Sequence, residues 1–483
     1  MSFRLWRNWA GNLEADAHVA SPGTLEELQR VVREAAKPRE DGAPGRLRVA
    51  GGSYSWAPLI PHDGTIIEMH RFDRLLEIDV EAMTVEVECG MTIEQLTQHA
   101  ERFELALITP TLFPRPTIGG VVATGCHGTS RLHGNFSDNV LSMRIIKHDG
   151  EVAVLERGDP DFAAAQVALG TFGVLYSVKL RLQPRFNVRV ETRKWPVEEV
   201  LSGLDDLRAT NDSVEIFWWP FQKTMYVYTM NRTESWPDEQ TLFSRLFQKT
   251  KTFLENAMAG GLLPWIAAKM PNFTPILSWL SDKVTSQVGV KVQTAEDAFH
   301  FQKAYPKCWD MSYAFPAEQA SQAWATGIEL VNRYAEAGLY PLNLALHGRF
   351  TGASEGLLAP DHARETGYVE AVTVKGTPHW QSFFEELEDR WLEIEGARPH
   401  WCKVYFQTVR VAERYPELPA FHEARARWDP DGVFLNEFVA DMLRVDEAGT
   451  GPRVGAESNE RASARSADAA ADRSIPVAPP SSS

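Results

Sequence analysis

The 483-residue chain is poor in cysteine, and its four cysteines, Cys89, Cys126, Cys308 and Cys402, are scattered with no CxxC pair among them. That spacing excludes a zinc knuckle and a disulfide-dense scaffold, and it makes reduced thiols the expectation. No stretch offers the roughly 18 uncharged apolar residues of a membrane-spanning helix. The opening MSFRLWRNWAGN lacks the apolar core of a secretory signal. A soluble, cytoplasmic protein without membrane contact is expected. Positive charge is also short, since 49 Lys and Arg face 65 Asp and Glu for a net charge of −16. Nucleic-acid binders carry the opposite sign, so no nucleic-acid partner is expected. Two nucleotide signatures are missing as well: no glycine loop fits GxGxxG at a strand-to-helix junction or GxxxxGK[ST].

What is present is the composition of a packed globular protein, 44% hydrophobic and 10% aromatic, long enough for about two or three domains. Over the first 185 residues short β-rich runs (RLRVAGG, GTIIEMH, MTVEVECG, VLYSVKLRLQP) alternate with helical ones (TLEELQRVVREAAK, TIEQLTQHAERF). That alternation reads as α/β or α+β layering. Asp149-Gly150 between SMRIIKH and EVAVLE is a hairpin signal. After Pro184 aromatic strands (SVEIFWWPF, KTMYVYTMNRT) and apolar helices around SRLFQKTKTFLENAMAGGLLPWIAAKM predict a second unit of sheet plus helices. The last stretch, 444–483, is rich in Ala, Ser, Pro, Gly, Arg and Asp without an aromatic, and is expected to be disordered.

Three glycine clusters punctuate the first half. VAGGSYSW, Val49 to Trp56, reads as a strand that turns sharply and bares backbone N–H groups, which is how proteins hold phosphate. PRPTIGGVVATGCHGTS, Pro114 to Ser130, reads as a loop of small residues that wraps closely around a dinucleotide. ALGTFGVLYSVKLRL, Ala168 to Leu182, puts two glycines before a strand. In this order the three resemble the FAD-binding domain of the vanillyl-alcohol oxidase superfamily, in its aldonolactone oxidase and alditol oxidase branch. That branch opens with NWAGN, as Asn8 to Asn12 do here, and has loops of the form GSGHS, TGTHG and HWGK. This chain has GGSYS, TGCHG and, from His400 to Lys403, HWCK. The resemblance spans about residues 5–443 and extends to EIFWWP and MNRT in the second half.

The resemblance implies an α+β fold: a two-subdomain PCMH-type FAD-binding domain (1–185), a substrate-binding cap with an antiparallel sheet and flanking helices (186–395), and a C-terminal segment (396–443) that returns to the FAD domain. It implies FAD as cofactor, with the pyrophosphate held by Val49, Ala50, Gly51, Gly52, Ser53, Tyr54 and Ser55. Further cofactor-site positions are Leu112, Thr117, Gly120, Thr124, Gly125, Cys126, His127, Val174 and His400. Tyr54 stands where many relatives have a histidine bonded to the flavin C8 methyl, so non-covalent FAD is expected. Removal of hydride from a carbinol carbon needs a base for the hydroxyl proton and cations for flavin N1 and the substrate oxygens. Lys403 matches the family's active-site lysine, and the cap strands LALHGRF and YVEAVTV supply His347, Arg349 and Glu370, with acid and imidazole exchanged between strands relative to the family. Leu112 replaces a serine that contacts polyol. Thr111, beside it, leaves oxidase against dehydrogenase open, with a lean toward slow oxygen use. Cys126 and Cys402 replace Thr and Gly, which reads as small-residue packing. The implied reaction is oxidation of a CH–OH group of a sugar lactone or polyol-like substrate, with electrons passed to oxygen or another acceptor. A bulkier, less polar alcohol as substrate and a catalytically idle flavin-binding protein are the alternatives.

Overall fold

The structure is a computed structural model that describes residues 2–39, 45–237, 262–285, 288–300 and 306–445. Among the described residues eighteen strands form three sheets. The first holds β1 (Ser2–Arg7), β2 (Glu14–Ala20), β3 (Leu47–Ala50) and β4 (Thr65–Glu68) in the order β1-β2-β4-β3, with β4 parallel to both β2 and β3. Helix α1 (Leu25–Ala35) makes the crossover from β2 to β3. Thr24 caps it by accepting a hydrogen bond from the Glu27 N–H, a contribution of about 1 kcal/mol. Its stripe of Leu28, Val31 and Val32 is buried with Leu47 and Ile67 of the first sheet and Ile146 and Val174 of the second.

The second sheet contains β5 (Leu75–Asp79), β6 (Thr84–Glu88), β8 (Val140–Ile146), β9 (Val152–Glu156) and β10 (Val174–Pro184) in the order β5-β6-β10-β8-β9. The short β7 (Leu105–Leu107) pairs with the end of β10. The Asp149-Gly150 hairpin forms as the sequence predicts: Gly150 takes φ +80° and β8 pairs antiparallel with β9. Helix α2 (Ile93–Glu101) starts with a capping box made by Thr92 and Gln95. Ile118–Ala123 is a helix, α3, where the sequence reading gave a loop. Its glycines let it lie against β6: a Cβ on Gly119 would sit 3.0 Å from the Cys89 side chain and 3.1 Å from its carbonyl oxygen.

The third sheet is antiparallel throughout, with eight strands in the order β14-β11-β13-β12-β16-β17-β15-β18. These are β11 (Asn187–Pro196), β12 (Ser213–Trp218), β13 (Thr224–Thr233), β14 (Gly289–Thr294), β15 (Cys308–Pro316), β16 (Leu346–Thr351), β17 (Thr366–Val374) and β18 (Arg398–Pro399). Helix Ala320–Glu336 packs on one face, so closely that a Cβ on Gly348 would stand 2.7 Å from the Trp324 ring. β17 is buried on both faces. With alternation every second residue, the face away from Trp324 carries Glu215 and Phe217 of β12, His347 and Arg349 of β16, Tyr368 and Glu370 of β17, and Ser312 of β15, held opposite one another by the register.

From Arg398 the chain leaves this sheet and runs back to the first two. His400 N–H donates to the Ser312 carbonyl, Trp56 N–H to the Cys402 carbonyl, and Leu47 N–H to the Val433 carbonyl. Arg444 pairs with Glu413 and Val445 is fully buried. Arg444 and Val445 of the expected tail are thus placed, Val445 in an apolar cluster; residues 446–483 lie outside the described ones, as do 244–261 of the expected apolar helices. Among the described residues no helix is long and apolar enough to cross a membrane.

Candidate active site

β3 ends at Ala50 and the chain turns through Gly51 to Ser55, with Ser53 at φ +58°. Among the described residues the N–H groups of this turn donate to no other group. The Thr117 hydroxyl faces it, buried and without a partner, and a Cβ on Gly51 would stand 2.1 Å from that hydroxyl oxygen. A cradle of unspent donors that a single methyl group would fill is what a pyrophosphate requires. The residues fit FAD on these two observations. Val49, the turn Gly51–Ser55, Thr117, Gly120, Thr124, Cys126, Gly173, Leu175 and Cys402 line one cleft. Arg48 is the residue sequence reasoning missed here. Buried at 4% exposure, it donates to the carbonyls of Leu59 and Leu169, each at 2.6 Å, and so ties the first and third glycine segments together. Burial lowers its pKa to about 10, which still leaves it charged at neutral pH.

Several expected cofactor positions lie one step back from that cleft. Val174 is fully buried in the cluster that packs α1, and its neighbours Gly173 and Leu175 line the cleft instead. Gly125 turns at φ +60° against Val167, and His127 stacks on Tyr368 with ring centroids 3.5 Å apart. Tyr54 sits in an aromatic box, 5.6 Å from Trp9 and 5.2 Å from Phe113 by ring centroids. Leu112 is half-buried, next to a Thr111 hydroxyl that donates to the Phe113 carbonyl.

Across from the cradle, the polar face of the third sheet brings His347, Arg349, Glu370 and Lys403 together. His347 Nδ1 lies 3.2 Å from Glu370 Oε2, and Arg349 Nη2 donates to Glu370 Oε1 at 2.8 Å. Lys403 Nζ is 3.9 Å from that same Oε1 and pairs directly with Asp310. Phe217 stacks on the His347 ring at 4.1 Å, and Glu215 approaches His347 Nε2 to 4.0 Å. Burial opposes the charge of Glu370, but Lys403 and Arg349 outweigh it and hold the carboxyl well below the usual carboxylate range. Burial likewise opposes the Lys403 charge, and Asp310 with Glu370 reverses this and raises its pKa. Lys403 is therefore a fixed cation. Asp310 and Glu215 escaped sequence reading, although each is an acid inside an apolar, aromatic run (CWDMSYAF, SVEIFWW), where an unpaired charge would be costly.

The two halves touch. Arg349 Nη1 reaches the His127 carbonyl at 3.4 Å, and Lys403 Nζ lies 5.0 Å from the Trp56 ring. At the junction Cys402 Sγ is 3.3 Å from His400 Nδ1, and Cys126 Sγ completes a group whose ligand atoms all lie within 4.8 Å of one another. The Cys402 thiol, donating to Cys126, pulls the Cys126 thiol well below the ordinary range. None of the four cysteines is in a disulfide.

A glycine-lined cleft in contact with a charge-bearing antiparallel sheet is the build of a capped flavoprotein oxidoreductase. Comparison with known proteins is more specific. Residues 178–442 match the family of D-arabinono-1,4-lactone oxidases, and residues 17–156 match the FAD-binding domain family. The chain belongs to the D-arabinono-1,4-lactone oxidase family. It is 30% identical to the L-gulono-1,4-lactone dehydrogenase of Mycobacterium tuberculosis over 91% of this chain and 99% of that one. It is 27% identical to an alditol oxidase of a Streptomyces species over 90% and 98%. Its fold is that of a cholesterol oxidase from B. sterolicum, with a TM-score of 0.77, 17% identity, and coverage of 91% of this chain and 96% of that one.

Proposed function

We propose that the chain is an FAD-dependent oxidoreductase that oxidises a CH–OH carbon of a sugar lactone or polyol-like substrate, with the polar face of the third sheet as its substrate wall. One observation carries this reading. Glu370 is shared by His347, Arg349 and Lys403 in a cluster that meets the glycine-rich half through the His127 carbonyl and the Trp56 ring. FAD, when bound, supplies the two-electron acceptor for the carbinol hydrogen. Val49, Gly51–Ser55 and Thr117 would hold it through backbone donors and the free hydroxyl. Lys403, kept protonated, donates a hydrogen bond to a substrate oxygen and is the wrong species for a base. Glu370 orients His347 through Nδ1, which leaves Nε2, buried and without a hydrogen-bond partner, to accept the hydroxyl proton. Arg349 pins Glu370 from the other side and keeps it ionised.

Anaerobic mixing with aldonolactones, polyols and hydrophobic alcohols tests this through the absorbance near 450 nm typical of oxidised flavin. Bleaching by lactones or polyols is expected. Bleaching by bulky alcohols alone would move the substrate to that class, and no bleaching by any would leave a flavin-binding protein without this chemistry. We further propose that FAD is held without a covalent bond, because Tyr54 offers no imidazole and its ring is engaged by Trp9 and Phe113. Acid precipitation is expected to leave the yellow colour in the supernatant; a yellow pellet would refute this. Electrons pass to oxygen or to another acceptor, which reoxidation in air-saturated buffer set against an artificial acceptor distinguishes.

A further inference from the structure

The Cys126, His400 and Cys402 cluster is used in neither the proton transfer nor the phosphate contacts proposed above, although Cys126 and Cys402 line the same cleft as the cradle. Its residues come from two distant segments: the turn after α3 and the run that leaves β18. Both are anchored at this point, Cys126 N–H to the Val121 carbonyl and Lys403 N–H to the His400 carbonyl. Cys402 N–H lies 3.3 Å from His400 Nδ1 and donates to it. That bond makes Nδ1 the lone-pair nitrogen of a neutral ring, and the same lone pair lies 3.3 Å from Cys402 Sγ. His400 is 2% exposed and both thiols are partly buried.

We propose that Cys126 Sγ, Cys402 Sγ and His400 Nδ1 form a binding site for one thiophilic d10 metal ion, with zinc(II) as its test ligand. Around a tetrahedral zinc, ligands at about 2.3 Å (sulfur) and about 2.0 Å (nitrogen) stand roughly 3.5 to 3.8 Å apart. The sulfur-to-nitrogen separation of 3.3 Å is already there, and no pair in the group exceeds 4.8 Å, so side-chain rotation of about an ångström closes the site. Two thiolates and a neutral imidazole neutralise a divalent ion, and binding releases to solvent the protons that the thiols carry. Sulfur and imidazole together select soft ions over magnesium or calcium. Three protein ligands leave a fourth position, and it opens on the cleft that Cys126 and Cys402 both line. The assignment rests on these side chains and holds whichever substrate the enzyme takes.

The test dialyses reduced protein, both FAD-loaded and flavin-stripped, against zinc(II), removes loose metal with a weak chelator, and measures zinc by mass spectrometry. Retention of about one equivalent per chain in at least one form is expected, with at least tenfold less in the Cys126→Thr/Cys402→Gly double variant. That variant restores the residues of the related TGTHG and HWGK loops and so keeps the fold, which its unfolding temperature and far-ultraviolet circular dichroism check. An independent reading is the ultraviolet thiolate-to-cadmium charge-transfer band, present in the wild type and absent in the variant. Zinc retained by neither form, or retained equally by the double variant, would overturn the site. So would loss of both free thiols to a disulfide in freshly purified protein under reducing conditions.

Discussion

The cradle and the cap-sheet cluster belong to two halves that touch, but they are built on opposite principles. The cradle has no charge of its own beyond Arg48 behind it; it works by backbone, with close approach at Gly51 and free N–H groups along one turn. The cluster works by charge: Glu370, Asp310 and Arg349 are buried, Lys403 is half-buried, and each leans on a neighbour. Shape can be lost with little cost to the rest of the molecule, whereas removal of one buried charge strands the others. Substitutions on the two sides should therefore fail in different ways.

The largest effect is expected for Glu370→Ala. It leaves Arg349 and Lys403 without their shared acid, which should cost about 3–5 kcal/mol of stability and abolish measurable flavin reduction. Thermal unfolding and anaerobic mixing read the two losses, and a variant that unfolds at the wild-type temperature would break the contrast with the cradle. Lys403→Met is next. Loss of one fixed donor to the reacting oxygen should lower the flavin reduction rate about 10²- to 10³-fold while FAD stays bound. Loss of FAD from this variant would place Lys403 in cofactor retention instead.

Gly51→Val sharpens the comparison from the other side. Its Cβ meets the Thr117 hydroxyl and fills the turn, so FAD should wash out on gel filtration while the flavin-free protein keeps an unfolding temperature within a few degrees of wild type, a change of about 1 kcal/mol or less. A large drop in unfolding temperature would show that the turn is structural first.

The same division explains what could be read from sequence. Gly51 to Ser55 is contiguous, so its glycines and hydroxyls announce a phosphate turn before any fold is known. The cluster is written in four separate places: Lys403 and Asp310 are 93 residues apart, and His347 and Glu370 are 23 apart. His347, Arg349 and Glu370 were legible only through resemblance, because only strand register sets His347 opposite Glu370. Asp310 and Glu215 were hidden because an acid in an amphipathic strand normally marks the solvent face, and here both faces are covered. Val174 went the other way: it reads as a cofactor position, but the strand's alternation turns its side chain into the core. The α3 helix was missed because of its two glycines, poor helix formers, of which Gly119 is used for close packing on Cys89 at the end of β6 rather than for a turn.

A second pair of acids offers the finest test of the charge argument. Asp138 and Asp361 lie between the Asn135 turn and the segment after β16, linked through Ser354 and Asn135. Among the described residues neither forms an ion pair with a lysine or arginine. Burial, helped by their mutual repulsion, raises Asp138 to about 7, and burial raises Asp361 to about 6. Glu370, equally buried but flanked by two cations, moves the opposite way. The sign follows from proton counting. As pH rises from about 4 to about 7 the unfolded chain loses the Asp138 proton first, so the native state binds more protons and stability falls with pH across that window. Asp138→Asn keeps an acceptor for Ser354 and Glu355 but cannot ionise. It should flatten that fall and stabilise the protein on the order of 2–4 kcal/mol at pH 8, with little change at pH 4. Unfolding curves collected across this range provide the measurement. A wild type whose stability rises from pH 4 to 7 at this locus, with no difference from the variant, would mean that burial alone does not set the charge state of these carboxyls and that the cluster around Glu370 owes less to its cations than its geometry implies.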